Sequence, residues 1–167
     1  MNPLIQNLVF QFETIQNGHN WVGSSYAKML SKVDQERYFE SPAVGLHSIA
    51  ALFSHMNLWR QEAIVKIKTG RGDKTDDCPE NWMAIEALKS KGWAAIKAEH
   101  DSSLAELISL LKEKKDDFLQ QEYYDPDFKG NYTYSWLLNG LLHHDIYHLG
   151  QLGIIVKFLK LDSDITQ

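Results

Sequence analysis

Histidine is the residue type that gives this chain its clearest chemical potential: there are seven, and His144 and His148 stand one helical turn apart. On a helix that spacing sends both imidazoles from the same face, where both reach one ion. Two ligands hold a transition metal weakly, so the pair calls for a third ligand from another segment. The other use of the same pair is structural: partly buried imidazoles hydrogen-bonded at a seam between helices.

The pair must be carried by a helix, and residues 133–159 predict one. Thr133 or Ser135 can cap it, and Leu137, Leu141, Leu152, Ile155 and Leu159 form its apolar face. Leu4, Ile5, Leu8, Val9, Phe12 and Ile15 recur at three- and four-residue spacing and predict a first helix from Met1 to about Gln16, ended by Gly18. A link over 20–38 includes a short helix at 25–30. Pro42 sets up a long second helix over 43–68, closed by Thr69-Gly70-Arg71-Gly72. Residues 70–80 read as a loop, and 82–115 as a third helical region that Gly92 and Asp101-Ser102-Ser103 bend or interrupt. Residues 116–131, with Pro126 and Gly130, read as loop, and no strand alternation or internal repeat stands out. The expected fold is all-α, an antiparallel four-helix bundle forming a single domain over 1–167.

Facing selects among the histidines. At about 100° per residue, His144 and His148 lie within about 70° of the apolar centre of the last helix, whereas His143 falls nearly opposite, beside Asn139 and Lys157. In the second helix Ile49, Leu52, Met56, Ala63 and Ile67 centre the core face. His55 sits at its flank, about 100° away, and His47 on the exposed side. His55 is therefore the better third ligand. His19 lies in a linker and His100 in the polar stretch Lys97-Ala98-Glu99-His100-Asp101, so neither is expected to bind metal.

Composition narrows the function classes. The formal net charge is −5, and the densest basic group, Lys112, Lys114 and Lys115, runs into Asp116 and Asp117, so no nucleic-acid groove is expected. No apolar run approaches the roughly 18 residues of a membrane span. Cys78 is the one cysteine; with no secretory leader, it points to a cytoplasmic protein and has no expected role of its own.

Ser48-Ile49-Ala50-Ala51-Leu52-Phe53-Ser54-His55-Met56-Asn57 and His144-Asp145-Ile146-Tyr147-His148-Leu149-Gly150-Gln151 together resemble the DinB-like superfamily, the DinB/YfiT-like metalloenzymes. Asn20-Trp21-Val22-Gly23 also looks like its bacterial branch, and the likeness runs from the first helix to the last. The resemblance implies one ligand on the second helix and a His-x3-His pair on the fourth, which fall here on His55, His144 and His148. It also implies a divalent metal, commonly nickel or zinc, and frequent assembly as a homodimer. For activity it implies thiol-dependent S-transferase or isomerase chemistry with a low-molecular-weight thiol as co-substrate, or metal-dependent hydrolysis.

The expected function is thus a metal-dependent enzyme on small molecules, in which the ion activates water or a thiol by lowering its pKa. The alternative is a non-catalytic dimeric bundle, a binding or stress-related scaffold with structural or no metal. Asp145 and Gln151 are candidates to orient an imidazole, and Glu62 shares the flank of His55. Tyr132-Thr133-Tyr134 is the best pocket candidate among the aromatic residues. Gly150 and Gly153, with Trp136, Ile154 and Phe158 away from the inner face, suit close approach of a second chain. Ser54 points away from His55 and forms no Ser–His pair with it.

Overall fold

The computed structural model describes residues 2–165, so the expected helical start at Met1 lies outside the described residues. The first helix, α1 (Pro3–Asn17), has proline in its opening turn and buries Ile5, Leu8, Val9, Phe12 and Ile15 on one stripe. The short α2 (Tyr26–Leu30) is capped by Ser25, whose hydroxyl accepts from the Lys28 N–H.

The long second helix of the sequence reading is α3 (Ile49–Thr69), and it starts six residues later than the proline at 42 suggests. Ser48 sets the start, its hydroxyl accepting from the Ala51 N–H at 3.1 Å. Gly45, at φ 84°, keeps the preceding backbone out of the helix. Gly70 closes α3 in the left-handed region, its N–H donating to the Lys66 carbonyl.

The third helical region divides at Gly92 into α4 (Ile85–Lys91) and α5 (Trp93–Lys112). Gly92 adopts φ 80° and ψ 150°, a conformation essentially confined to glycine, whereas Asp101-Ser102-Ser103 continues the helix without a break. The segment expected to be loop contains a small antiparallel hairpin, β1 (Glu122–Asp125) and β2 (Gly130–Thr133), pairing Tyr123 with Tyr132 and Asp125 with Gly130. Asp125 shapes its turn, one carboxylate oxygen accepting from the backbone of Asp127 and Phe128. The last helix, α6 (Tyr134–Ile165), begins against Thr133, whose hydroxyl accepts from the Trp136 N–H, and extends beyond Leu159.

The protein is thus mostly helical with one small sheet. α3 packs on α5 and α6, and α1 on α5 and α6, around Phe12, Leu52, Phe53, Met56, Leu107, Leu138 and Leu152. No helix among the described residues is long and apolar enough to cross a membrane.

A polar layer crosses this core. Arg60, 1% exposed, donates to Asp145 Oδ2 at 3.0 Å and to the His100 carbonyl at 3.1 Å. His100 itself is fully buried, with Nδ1 3.1 Å from Asn57 Oδ1 and Nε2 2.9 Å from the Gln16 side-chain amide. Although it sits in a polar stretch of sequence, its register with Ile96, Leu104 and Leu107 puts His100 inside.

Burial first, then the charges of Arg60 and Lys97, hold His100 well below the ordinary histidine range. The unfolded chain takes up a proton near pH ~6.5 that folded His100 refuses. Its contribution to stability is therefore full above that pH and is lost as pH falls toward the folded value, at up to about 1.4 kcal/mol per pH unit. Urea melts of metal-free protein from neutral to mildly acid pH are expected to show stability falling, with His55, His144 and His148 adding to the slope. A His100→Gln variant loses one histidine's share of that slope; equal slopes would contradict the assignment.

Candidate metal centre

α6 and α3 bring the three selected histidines together. His144 Nε2 lies 3.0 Å from His55 Nε2 and 3.0 Å from His148 Nε2. His55 and His148 are buried and His144 is partly so. The i,i+4 register on α6 supplies two of the rings, and the facing of α3 toward α6 supplies the third.

Hydrogen bonds fix which nitrogens are free. His55 Nδ1 donates to the Asn81 carbonyl at 3.1 Å, and His148 Nδ1 donates to Gln151 Oε1 at 2.7 Å. Each bond places the proton on Nδ1 and leaves Nε2 with its lone pair facing the other rings. Gln151 is itself held by donating to the Tyr147 hydroxyl at 3.0 Å. It orients His148, three residues back on α6, as expected of a residue that could orient an imidazole.

All three rings are held neutral. Burial, reinforced by His148, His55 and Arg60, pushes His144 down to about 3. Burial takes His148 down to about 4 against the opposing bond to Gln151, and lowers His55 against its bonds to Asn81. Metal ligation requires neutral imidazole, so this is the ligating state.

The donor set fits a divalent transition ion. The Nε2 lone pairs of His55 and His148 converge on His144 Nε2, a packing that calls for a cation or a proton between them, and His144 Nδ1 is buried without a hydrogen-bond partner. An ion at about 2.0–2.1 Å from each nitrogen, the usual Zn–N length, fits between nitrogens so spaced. Three neutral imidazoles leave coordination positions open, as in catalytic sites.

The centre opens into a cleft of about 580 Å³. Trp59, Trp82, Trp136, Phe128 and Tyr147 line it, with Lys66, Asp76, Asp125 and Asp127 toward the hairpin. A volume of this size suits a small-molecule ligand. Tyr132-Thr133-Tyr134 does not line it: Tyr132 stacks behind Trp136 at 4.5 Å, and the buried Tyr134 donates to the Lys66 carbonyl. His143 and His19 are exposed and lie outside the centre.

Two further candidates have other partners. Asp145 does not orient an imidazole in this structure, since its carboxylate takes the Arg60 guanidinium. Glu62 faces away from the histidines, accepting from the Asp73 N–H at 2.8 Å and lying 3.7 Å from Lys66 Nζ. The loop before α4 supplies partners that helix periodicity does not reveal. Asn81 bonds His55, and Trp82 lies flat against the His55 ring at 4.0 Å, with His47 stacked on its other face at 3.7 Å. His47 precedes α3, so a helical wheel was the wrong frame for it.

A mostly helical protein with three convergent imidazoles at the floor of an aromatic cleft is of the class that can hold a divalent metal at an open site. The family model of the DinB superfamily matches residues 20–152, and the chain belongs to that superfamily. A search of curated proteins returned no match.

Proposed function

We propose that this chain is a single-domain cytoplasmic metalloenzyme of the antiparallel four-helix-bundle type, with nickel or zinc held by His55, His144 and His148. It acts on small molecules, as a thiol-dependent S-transferase or as a hydrolase. The observation that carries this reading is the meeting of three neutral, Nδ1-protonated or Nδ1-buried imidazoles at the floor of an open cleft. A bound divalent ion supplies Lewis acidity there. Asn81 and Gln151 keep two Nε2 lone pairs aimed at the common point, and Trp59, Trp136 and Tyr147 enclose the apolar body of a substrate.

The cleft wall sets Lys66 against Asp76, Asp125 and Asp127, and Lys66 is already paired with Asp125 at 2.9 Å. Neutral or cationic substrates and thiols therefore enter more readily than polyanions. A homodimer is proposed through α6, where Ile154 and Phe158 are exposed and a side chain at Gly150 or Gly153 would meet nothing, while Trp136 belongs to the cleft.

The test is turnover by protein purified without a metal-affinity tag and loaded with Ni²⁺ or Zn²⁺. Glutathione, bacillithiol or mycothiol is supplied with electrophiles, and a panel of esters and amides is run in parallel. Activity is expected to require metal and to vanish in His148→Ala. Stoichiometric metal binding without turnover of any thiol or ester would favour the scaffold reading.

A further inference from the structure

We propose that Trp82 is a positioning residue for the metal centre: the loop before α4 clamps the His55 imidazole in the orientation that ligation needs. The inference rests on the three-histidine reading above. His144 and His148 share one helix, so their spacing is set by α6 itself. His55 comes from α3, and its aim must be fixed separately for three nitrogens to meet. Sites of this kind tolerate only about 10–20° of misorientation.

The loop fixes His55 in two ways. The Asn81 carbonyl takes the Nδ1 proton, which selects the tautomer, and the Trp82 indole lies parallel to the ring at 4.0 Å with 6° between planes. A ring bonded at one edge and covered on one face has little freedom left to tilt or flip. Trp82 is held from behind, because His47 stacks on its far face at 3.7 Å, again with 6° between planes. Trp82 lines the cleft and keeps 38% of its surface exposed, but its two ring stacks are with imidazoles, and one of them is His55.

The loop is tied down in turn. Asn81 Oδ1 accepts from Trp59 Nε1 at 2.9 Å, and its amide nitrogen donates to the Asp76 carbonyl at 2.8 Å. The Asp76 N–H donates to Asp127 of the hairpin turn at 3.0 Å. The aim of His55 is thereby linked through Asn81 to the opposite wall of the cleft.

Chelator-competition titrations with Ni²⁺ and Zn²⁺ test this on wild type, Trp82→Ala, Trp82→Phe and His47→Ala. Trp82→Ala is expected to bind about 10- to 100-fold more weakly, the usual cost of losing an outer partner of a ligand, while Trp82→Phe, which keeps a flat ring, stays within about threefold. His47→Ala, at an exposed position outside the ligand set, is expected to speed metal release a few-fold. Ni²⁺ should quench wild-type tryptophan emission, and most of that quenching should be missing from Trp82→Phe. If Trp82→Ala does not fold, Trp82→Leu, which fills the space without a flat face, is expected to show the same loss of affinity as a folded protein. Wild-type affinity in folded Trp82→Ala or Trp82→Leu would overturn the proposal and leave the three-histidine site standing. Failure of wild type itself to bind either ion would overturn both.

Discussion

Asp145→Ala is expected to lower the free energy of unfolding by about 3–5 kcal/mol, a fall of roughly 10 °C in melting temperature. Asp145 and Arg60 are almost completely buried and meet at 3.0 Å between α6 and α3. Burial pushes the Asp145 carboxyl upward and Arg60 opposes that shift. The guanidinium cannot shed its proton, so removing its carboxylate strands a charge inside the core. Its remaining bonds, to the His100 carbonyl and to Ser103, are to neutral groups and cannot replace the lost countercharge. Replacing both partners together, as Arg60→Met with Asp145→Leu, should recover most of the loss, because buried pairs often exchange with apolar side chains at little net cost. Urea and thermal melts of the single and double variants measure this. A single-variant loss under about 1 kcal/mol would show that the pair does not brace the two helices that carry the histidines.

The second large effect is on binding. His144→Ala should weaken Ni²⁺ or Zn²⁺ affinity by at least about 100-fold, more than loss of an outer partner costs, because a direct ligand is lost. His144 is the middle member, with its Nε2 at 3.0 Å from both of the others. The metal-free variant should melt close to metal-free wild type, since the deletion also removes the crowding of three nitrogens and a buried Nδ1 with no partner. Affinity falling while stability holds is the signature of a ligand; if both held, or both fell together, His144 would be a packing residue. Calorimetric titration with thermal melts on the same samples reads both quantities.

The convergence of His55, His144 and His148 was legible in the sequence because each sits inside a helix whose apolar rows are strong. His55 survived a six-residue error in the start of α3, since Ile49, Leu52 and Met56 already fixed the face. That error cost His47, which belongs to the turn before Ser48 and reaches Trp82 from there. Asn81 and Trp82 carry no periodic signal at all: they meet His55 only through tertiary folding of a loop. The burial of His100 was readable, because Ile96, His100, Ser103, Leu104 and Leu107 share one helical stripe, but the charged Lys97, Glu99 and Asp101 around it in sequence masked it. The hairpin escaped because each strand is only four residues long, too short for alternation to stand out. Its anchor is the long-range pair of Lys66 with Asp125.

The most direct test of the account is X-ray absorption at the metal edge of tag-free protein loaded with one equivalent of Ni²⁺ or Zn²⁺. The account predicts a first shell that contains three imidazole nitrogens at about 2.0–2.1 Å, with the outer-ring scattering that marks histidine, and loss of one imidazole in His148→Ala. A shell of oxygen alone, or a spectrum that is the same in wild type and His148→Ala, would contradict it.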